Sequence, residues 1–505
     1  MRELLDLRYQ KKIEMIELIF YSKNHSIAQT ELLDALEVTY PTLVATVDKV
    51  NLDAKEFGYN DFTIVHSPQQ QLFSLEIKED LGIQFMFSAY LKKSLKFQLL
   101  QLLLTESFPT MKILANKMNV SYFSIRQTVK QLNEKLDSRH MSISTDKEVA
   151  IVGNELAIRL YYSVLYLFVY GGGEWPFSFI HYFEISKLLA DCPKEIYVSG
   201  TIDKTLLVHY YTAIHLLRDK KGQFLSDINA PLYSPPLIEE EDTYRSFVLK
   251  MKTYLVNAND AYVNYTSSAL ISCILAFGNY STIETPPSFF YLDKRLQDFD
   301  FLASIYLFVE QLEQNFLIPF STIEKNKILY ALMSTHYRTL LFEDMNLDLD
   351  SSLPVYRALT RHPSKLFKID YLKQLIRKIM DSNASAYTKL DQAYLEKEYV
   401  LILDKYINLS KHTKEIKVAV LSIVSNELLT QEFTANFSAY YNIEVVEEYD
   451  RKIDLFISDF LLSKEVIKSL KIKHPIVYVH TKLAEGDYEK LNKQLAEIAT
   501  NKLKK

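Results

Sequence analysis

One pattern occurs twice in this sequence, at a constant offset of 82 positions. Residues 26–51 read SIAQTELLDALEVTYPTLVATVDKVN, and residues 108–133 read FPTMKILANKMNVSYFSIRQTVKQLN. In this alignment residues of similar size and polarity coincide, namely Val38 and Val120, Leu43 and Ile125, Thr46 and Thr128, Val47 and Val129, and Asn51 and Asn133. The duplication constrains the amino-terminal part of the chain to two similar small modules.

Each copy predicts a helix-turn-helix, because apolar residues recur at helical spacing on either side of a short polar break. The predicted helices are 30–36 and 40–50 in the first copy, and 111–118 and 122–136 in the second. Thr39 and Ser121 are placed to cap the second helices by accepting free amide protons. The inward faces of those helices are Leu43, Val47 and Val50, and Ile125, Val129 and Leu132.

An alternating stretch broken by a polar turn follows each second helix. The four segments are Phe62–His66, Gln71–Ile77, Met141–Ser144 and Val149–Val152. They predict β-hairpin wings. Ordinary helical hairpins are the alternative interpretation of one copy, but duplication with a wing after each copy favours winged modules that bind double-stranded DNA.

Charge distinguishes the two modules. Residues 1–80 carry 8 Lys and Arg against 14 Asp and Glu, whereas residues 81–147 carry 10 against 4. DNA phosphates attract cations and release counterions on binding, so the second module is expected to supply most of the affinity. The candidate DNA contacts are Lys112, Lys117, Ser121, Tyr122, Arg126, Gln127, Lys130, Lys135 and Arg139, with Thr42 and Lys49 in the first module.

The candidate contacts have different predicted roles. Arg126 and Gln127 lie early in the recognition helix, where side chains reach base edges, while Ser121 and Tyr122 are placed for phosphates. The alternative is that this basic face is merely solvated. The net charge of the whole chain is -5, so a nucleic-acid surface has to be local.

Composition sets the broad class. A chain of 505 residues with 48% hydrophobic and 24% charged residues indicates a globular protein of several domains. Cys192 and Cys273 lack metal-ligand spacing and predict no disulfide framework. The charged start of the chain and the short apolar run Leu160–Gly171 predict no signal segment and no membrane span. We therefore expect a cytoplasmic protein that does not bind a membrane.

The sequence gives little reason to expect an enzyme. It has only 10 glycines, and the cluster Gly171-Gly172-Gly173 follows a predicted helix without a phosphate-loop pattern, so it indicates a helix stop. The sequence contains no HExxH motif, no GxSxG motif, no paired Cys motif and no kinase signature. We expect no catalytic activity, no cofactor and no metal.

The stretch Ile158–His412 predicts two helical bundles, at about 160–285 and 290–411, with breaks at Pro193, Pro286-Pro287 and Pro354. Each bundle has a histidine within a predicted helix, His209 and His336. A neutral imidazole is a good nucleophile toward a phosphoryl donor. A structural role is the alternative for each histidine.

The carboxy-terminal segment alternates strands and helices. The predicted elements are a strand Ile416–Ile423, a helix to Ala439, strands Ile443–Val446, Leu455–Ser458 and Ile476–His480, and a last helix from Asp487. Continuous apolar strands between helices predict a parallel sheet covered on both faces.

The order of these parts resembles the Mga and AtxA family of virulence regulators of Gram-positive bacteria. The segment Val152-Gly153-Asn154-Glu155-Leu156-Ala157-Ile158-Arg159 is similar to the start of that family's helical part. The resemblance implies a multidomain, mainly α fold with five domains. These are winged helix-turn-helix modules at 1–80 and 81–155, helical phosphotransferase-system regulation domains (PRDs) at 156–285 and 286–411, and an α/β domain like the sugar-transport protein EIIB at 412–505.

The resemblance also implies site residues. His209-Tyr210-Tyr211-Thr212-Ala213-Ile214 resembles the phospho-accepting helix of a PRD, and His336 fits its counterpart less closely. A true EIIB domain has a cysteine after its first strand, whereas this chain has Leu421-Ser422-Ile423. A serine hydroxyl is a much weaker nucleophile than a thiolate near neutral pH, so the last domain is expected to be non-catalytic.

The function implied is that of a DNA-binding transcriptional regulator modulated through its PRDs, by histidine phosphorylation from a phosphotransferase-system donor. A homodimer formed through the regulation domains and residues 413–505 is expected. Two alternatives stay open, a scaffold of sugar phosphotransferase signalling that does not bind DNA and a phosphotransfer enzyme, and the missing cysteine counts against the second.

Overall fold

The computed structural model describes residues 1–78, 82–192, 202–225, 242–256, 258–277, 300–315, 319–341, 363–387, 392–407, 413–446, 452–469, 472 and 474–503. The fold is mainly helical. It divides into two compact units, one formed by Met1–Asp191, Thr201–Ala230 and Ser246–Leu270, and the other by Cys192–Gly200, Pro231–Arg245 and Ile271–Lys505. The predicted breaks at Pro193, Pro286-Pro287 and Pro354 lie outside the described residues.

The first amino-terminal module contains the predicted helix-turn-helix and wing. Its elements are α1 Leu7–Tyr21, β1 Ser26–Ala28, α2 Gln29–Leu36, α3 Tyr40–Glu56, β2 Phe62–Ser67 and β3 Leu72–Ile77. Leu43, Val47 and Val50 on α3 are buried as predicted. Two features were not predicted, since α3 runs on to Glu56 and the short strand β1 adds to the wing in an antiparallel sheet of order β1-β3-β2.

The second module repeats this arrangement. Its elements are α4 Gln84–Lys93, α5 Leu95–Thr105, α6 Met111–Lys117, α7 Tyr122–Leu136, β4 Met141–Ser144 and β5 Ala150–Gly153. Ile125, Val129 and Leu132 on α7 are buried as predicted. The two strands pair antiparallel, with Ile143 opposite Ile151, and both side chains are buried.

The turn between the two helices has the same backbone geometry in both copies. Glu37 and Asn119, which are equivalent in the alignment, adopt φ angles of 52° and 53°. The amide of Val38 then donates to the carbonyl of Leu33 at 3.3 Å, and the amide of Val120 donates to that of Ala115 at 3.1 Å. A left-handed residue closes each preceding helix and turns the chain toward the next one.

The aligned asparagines Asn51 and Asn133 join each second helix to its wing. Asn51 Nδ2 donates to the Ile64 carbonyl at 2.8 Å, and its Oδ1 accepts from the Ile64 amide at 2.7 Å. Asn133 makes the same two bonds to Ile143, at 3.0 and 2.7 Å. An asparagine side chain supplies both a donor and an acceptor, so it holds the first wing strand in register with the helix.

The helical part of the first unit begins directly after the second wing. Its helices are α8 Glu155–Tyr170, α9 Tyr182–Ala190 and α10 Ile202–Lys220, together with residues 246–254 of α11 (Asp242–Tyr254) and 260–270 of α12 (Asp260–Phe277). Helix α8 ends at Gly171, whose φ of 54° suits glycine, so the predicted helix stop is confirmed. Helices α8 and α10 pack against each other.

The second unit contains a helical group and the α/β segment. The helices are α13 Asp300–Glu313, α14 Thr322–Leu341, α15 Pro363–Ser382 and α16 Gln392–Tyr406. The α/β segment consists of β6 Ile416–Leu421, α17 Asn426–Phe437, β7 Ile443–Val445, β8 Leu455–Ser458, α18 Lys464–Ser469, β9 Ile476–Tyr478 and α19 Glu485–Leu503. Helices α14 and α15 both pack on α16.

The carboxy-terminal sheet is parallel, as predicted, with strand order β7-β6-β8-β9. Val418 and Ile457 point to one face, where they pack with residues of α17 and α19. Ala419 and Phe456 point to the opposite face and form a second, smaller cluster. The alternation of buried side chains explains why the strands are apolar along their whole length.

Three findings bear on the function classes considered from the sequence. Among the described residues, no helix is long and apolar enough to span a membrane. No group of His, Cys, Asp and Glu in the same residues is arranged to hold a metal ion. Cys192 and Cys273 are buried thiols.

Candidate nucleic-acid interface and regulatory histidines

The recognition helix α7 begins with a side-chain cap. Ser121 Oγ accepts from the Ser124 amide at 3.0 Å, so the predicted cap is confirmed and that hydroxyl is held at the helix start. The equivalent prediction for Thr39 is wrong. Its hydroxyl instead bonds to the hydroxyl of Thr42 at 2.9 Å and makes no cap bond to an amide.

The exposed face of α7 is basic. Arg126 and Lys130 lie one helical turn apart, and both are exposed, as is Gln127 between them. Lys112 on α6 and Lys135 near the end of α7 are exposed too. Within the described part of the chain, no carboxylate forms an ion pair with any of these four cations. They remain available to neutralise phosphates.

Two aromatic side chains stand at the start of the same helix. Tyr122 is 52% exposed, and Phe123, which the sequence analysis did not select, is 73% exposed. Phe123 is uncharged, so the charge pattern that indicated the other contacts did not indicate it. Its position in the first turn of a recognition helix, outside the apolar spacing of the core, was the available signal.

A surface groove connects this helix to its wing. It measures about 430 Å³ and is lined by Met111, Tyr122, Arg126, Val129, Lys130, Asn133, Glu134 and Thr145. Thr145 belongs to the wing turn, and Asn133 is the residue that fixes the wing to the helix. The structure therefore brings three of the predicted contacts, Tyr122, Arg126 and Lys130, into one concave surface.

Two predicted contacts outside the groove, Lys117 and Arg139, have neighbours within the chain. Lys117 is exposed at the end of α6, and its ammonium is 4.0 Å from Glu106 Oε2. Arg139 is half-buried, and its guanidinium carbon lies 5.1 Å from the centre of the Tyr161 ring on α8. The contact with Tyr161 makes Arg139 part of the packing between the second module and α8.

The first module has the same helix-turn-helix and wing as the second, but its second helix lacks the cations of α7. At the offset of 82 positions, Val44, Ala45 and Asp48 occupy the places of Arg126, Gln127 and Lys130. Thr42 and Lys49, the predicted contacts of this module, are both exposed, and Thr42 is bonded to Thr39. The equivalent face of α3 is thus almost neutral.

His209 lies inside the helical part of the first unit and is only 2% exposed. Its Nδ1 donates to the Thr205 carbonyl at 2.7 Å, which leaves Nε2 as the acceptor of the Ser186 hydroxyl at 2.9 Å. The imidazole ring also stacks on the ring of Tyr182 of α9, with the two ring centres 4.5 Å apart. Burial lowers the pKa of His209, and the bond to Thr205 offsets only part of that, so the ring is neutral near pH 7.

His336 is completely buried on α14. Its Nε2 is hydrogen-bonded to the hydroxyl of Tyr399 on α16, and the two rings are nearly parallel. In both helical groups the predicted histidine is therefore covered by a neighbouring helix.

A third histidine, which the sequence analysis did not single out, belongs to a buried ionic network. Arg159 is fully buried and donates to Glu155 at 2.9 Å, to Asp219 at 2.7 Å and to His215 Nδ1 at 2.8 Å. Arg218 makes two further bonds to Glu155, at 2.9 and 2.6 Å. The network joins the first residue of α8, directly after the second wing, to the last turns of α10.

The charges of this network are mutually satisfied. Burial alone would lower the pKa of Arg159, but the carboxylates of Asp219 and Glu155 raise it above its usual value. Burial and the Arg159 charge lower the pKa of His215 to about 3, so His215 is neutral and its Nε2 donates to Thr266 at 2.7 Å. The pairs Glu155/Arg159 and His215/Asp219, each four residues apart on a helix, were the sequence signal for it.

The loop after β6 contains Ser422, at the position that the sequence analysis compared with the EIIB cysteine, and is hydrogen-bonded to the loop after β8. Ser422 Oγ donates to Asp459 Oδ2 at 2.6 Å, and the Ile423 amide donates to Asp459 Oδ1 at 3.0 Å. Ser422 Oγ also accepts from the amides of Val424 and Ser425. The carboxylate of Asp459 thus accepts hydrogen bonds from the Ser422 hydroxyl and the Ile423 amide at this edge of the sheet.

Comparison with known proteins gives a match for the second module. Residues 79–166 match the Mga helix-turn-helix domain, a span that contains α4 to β5 and most of α8. A Streptococcus pneumoniae protein described as a trans-acting regulator is 23% identical over 225 residues, 45% of this chain. The Bacillus anthracis capsule synthesis positive regulator AcpA is 32% identical over 114 residues, 23% of this chain.

The chain spans 44% of the length of the first relative and 23% of the second. The domain match lies over the module that carries the basic recognition helix. Residues 79–166 are thus similar to the Mga helix-turn-helix domain, and parts of the chain are similar to two proteins named as regulators.

Proposed function

We propose that the chain is a DNA-binding transcriptional regulator of the cytoplasm and that its second module provides most of the DNA affinity. The observation that carries this proposal is the exposed, unneutralised pair Arg126 and Lys130 on a capped recognition helix, within the residues that match the Mga helix-turn-helix domain. Both relatives are named as regulators, which supports the same function.

The test is electrophoretic retardation of double-stranded DNA by the full chain over a series of salt concentrations. We expect the logarithm of the association constant to fall linearly with the logarithm of the salt concentration, because each neutralised phosphate releases counterions. Random duplexes as well as upstream regions of the source genome should be retarded at low salt. Absence of retardation at low salt would refute DNA binding and favour the scaffold function.

The regulatory proposal is that phosphorylation of His209 or His336 modulates this activity. The neutral ring of His209 presents Nε2 as its nucleophilic atom, and that atom is bonded to Ser186 of α9. Phosphorylation there requires α9 to separate from α10, since the ring is covered by Tyr182 and Ser186. The added phosphate, with roughly two negative charges, would keep the helices apart.

Substitutions at the two histidines test this proposal. His209→Asp and His336→Asp introduce a negative charge into each buried site, whereas His209→Ala and His336→Ala remove the acceptor. We expect promoter output to differ between the Asp and Ala forms at one or both sites, while the isolated residues 1–155 bind DNA unchanged. Ser186→Ala is the matched control, because it removes the Nε2 partner and keeps the histidine. Equal output from all four variants and the parent would show that the histidines are structural.

We also propose that the regulator is a homodimer and that the carboxy-terminal domain takes part in the contact. Four large apolar side chains are exposed near the carboxyl ends of β6 and β8, and they are Ile423, Val424, Leu428 and Leu461, at 74%, 69%, 63% and 82%. The bond between Ser422 and Asp459 holds the two loops side by side. An exposed apolar cluster of this kind supports a docking role, and a two-fold axis would bury it twice.

Sedimentation equilibrium at micromolar protein tests the dimer. Ile423→Lys combined with Leu461→Lys should weaken the dimer by about tenfold or more, because each charge would be buried at two symmetric places. Leu7→Lys with Tyr21→Lys is the matched control, since those side chains are 79% and 75% exposed in the first module. A parent protein that stays monomeric would refute the dimer. If the Ile423→Lys, Leu461→Lys variant dimerises as strongly as the parent, this apolar surface is not part of the dimer interface.

A further inference from the structure

A cavity of about 670 Å³ lies in the first unit between the second module and the helical part. It is lined by side chains of α5, the end of α6, α8, the segment after α8 and the end of α10. The residues are Gln98, Gln101, Leu102, Leu104, Thr105, Lys117, Met118, Tyr166, Pro176, Phe177, Ser178, Phe179, Leu217, Lys220 and Lys221. Its volume is within the range of small-molecule sites.

The charge of the lining is one-sided. Lys117, Lys220 and Lys221 contribute three ammonium groups, and none of the lining residues is Asp or Glu. Lys220 and Lys221 form no ion pair within the described ranges, and both are exposed. The carbonyls of Leu217, Arg218 and Asp219 near the end of α10 accept from the amides of Lys221, Gly222 and Gln223. Lys117 is paired with Glu106, so the charge without an internal counterion among the described residues is that of Lys220 and Lys221.

The remaining lining suits an organic group. Tyr166, Phe177 and Leu217 are buried side chains that form an apolar wall. Phe179 is half-buried, and the ammonium of Lys220 lies 5.9 Å from its ring centre. A ligand that fits both parts combines a compact dianion with an apolar or aromatic body. Lysine binds phosphate as a point charge, and a phosphomonoester is close to a dianion at neutral pH.

We propose that this cavity is a binding site for small phosphomonoesters, with Lys220 and Lys221 binding the phosphate. The site uses residues of α6 and of α10, so an occupant would contact both the DNA-binding module and the helix that carries His209. The proposal does not depend on DNA binding, because the site is complete in the chain without DNA.

Isothermal titration calorimetry of the full chain with phenyl phosphate tests the proposal without DNA. We expect saturable binding of phenyl phosphate at one site per chain, weaker binding of inorganic phosphate and no binding of phenol. Lys220→Ala with Lys221→Ala should weaken the affinity for phenyl phosphate by about tenfold or more, because two charge-assisted bonds are lost. Lys11→Ala with Lys187→Ala, at two exposed lysines outside the cavity, should leave it unchanged.

Two results of the calorimetry would refute the proposed site. One is the absence of phenyl phosphate binding at millimolar concentration by a chain that still unfolds cooperatively on heating. The other is equal binding by both lysine pairs of variants, which would indicate non-specific attraction. DNA retardation by the Lys220/Lys221 variant tests a further alternative, in which these two lysines contact DNA. If the parent chain does not bind phenyl phosphate and the Lys220/Lys221 variant binds DNA more weakly than the parent, the two lysines are DNA contacts and the proposal is refuted.

Discussion

Replacing Arg126 and Lys130 together with Ala is expected to weaken DNA binding by the full chain by about tenfold or more, with the salt slope reduced by about one to two units. Both side chains are exposed on the same face of α7, line the groove beside the wing and form no ion pair in the part of the chain that the structure describes. Neither supports the core, which α7 forms through Ile125, Val129 and Leu132. The loss should therefore appear in binding and not in stability.

The duplication provides the matched controls. Lys49→Ala, at the predicted contact of the first module, should have a smaller effect than the double variant of α7. The reverse substitutions, Val44→Arg with Asp48→Lys, give α3 the two cations of its counterpart. If the first module also lies against DNA, these substitutions should steepen the salt slope; if it does not, the slope should stay the same. Equal losses from Lys49→Ala and from the α7 pair would contradict the charge argument.

The local elements of this chain could be predicted because their causes are local. Helix α7 was predicted to its exact ends, since Ser121 caps it and the apolar spacing stops at Leu136. Both wings, the stop at Gly171 and the parallel carboxy-terminal strands follow in the same way from turn residues and from the period of the apolar positions. The strand β1 was missed because three residues carry no period and only pairing with β3 makes them a strand.

Contacts between distant residues were not predictable from spacing. The Asn51 and Asn133 bonds were visible only as an aligned pair of identical residues, and their partners became evident with the position of each wing. The covering of His209 by α9 depends on packing between helices that the sequence does not specify. The sequence suggested which residues could contact DNA, and Arg139 was one of them. It did not indicate that Arg139 packs against Tyr161 of α8.

Arg159 is the residue at which the largest loss of stability is expected. Replacing it with Met removes one of the two arginine partners of Glu155 and the arginine partner of Asp219, and leaves the Asp219 carboxylate buried without a cation. Breaking a buried pair from one side costs about 3–5 kcal/mol of unfolding free energy. Arg159→Lys should recover only part of this loss, because one ammonium cannot reproduce the planar fork that bonds Glu155, His215 and Asp219 together.

The measurement is urea unfolding of the full chain, followed at the transition of the first unit. Arg8→Met is the control, because that side chain lies in the first unit, is 69% exposed, and its ion pair with Asp6 should contribute at most about 1 kcal/mol. A double variant with Asp219→Asn should lose less than the sum of the two single variants, since the second change neutralises a carboxylate that the first leaves unpaired. If Arg159→Met were as stable as Arg8→Met, the network would not hold α8 to α10.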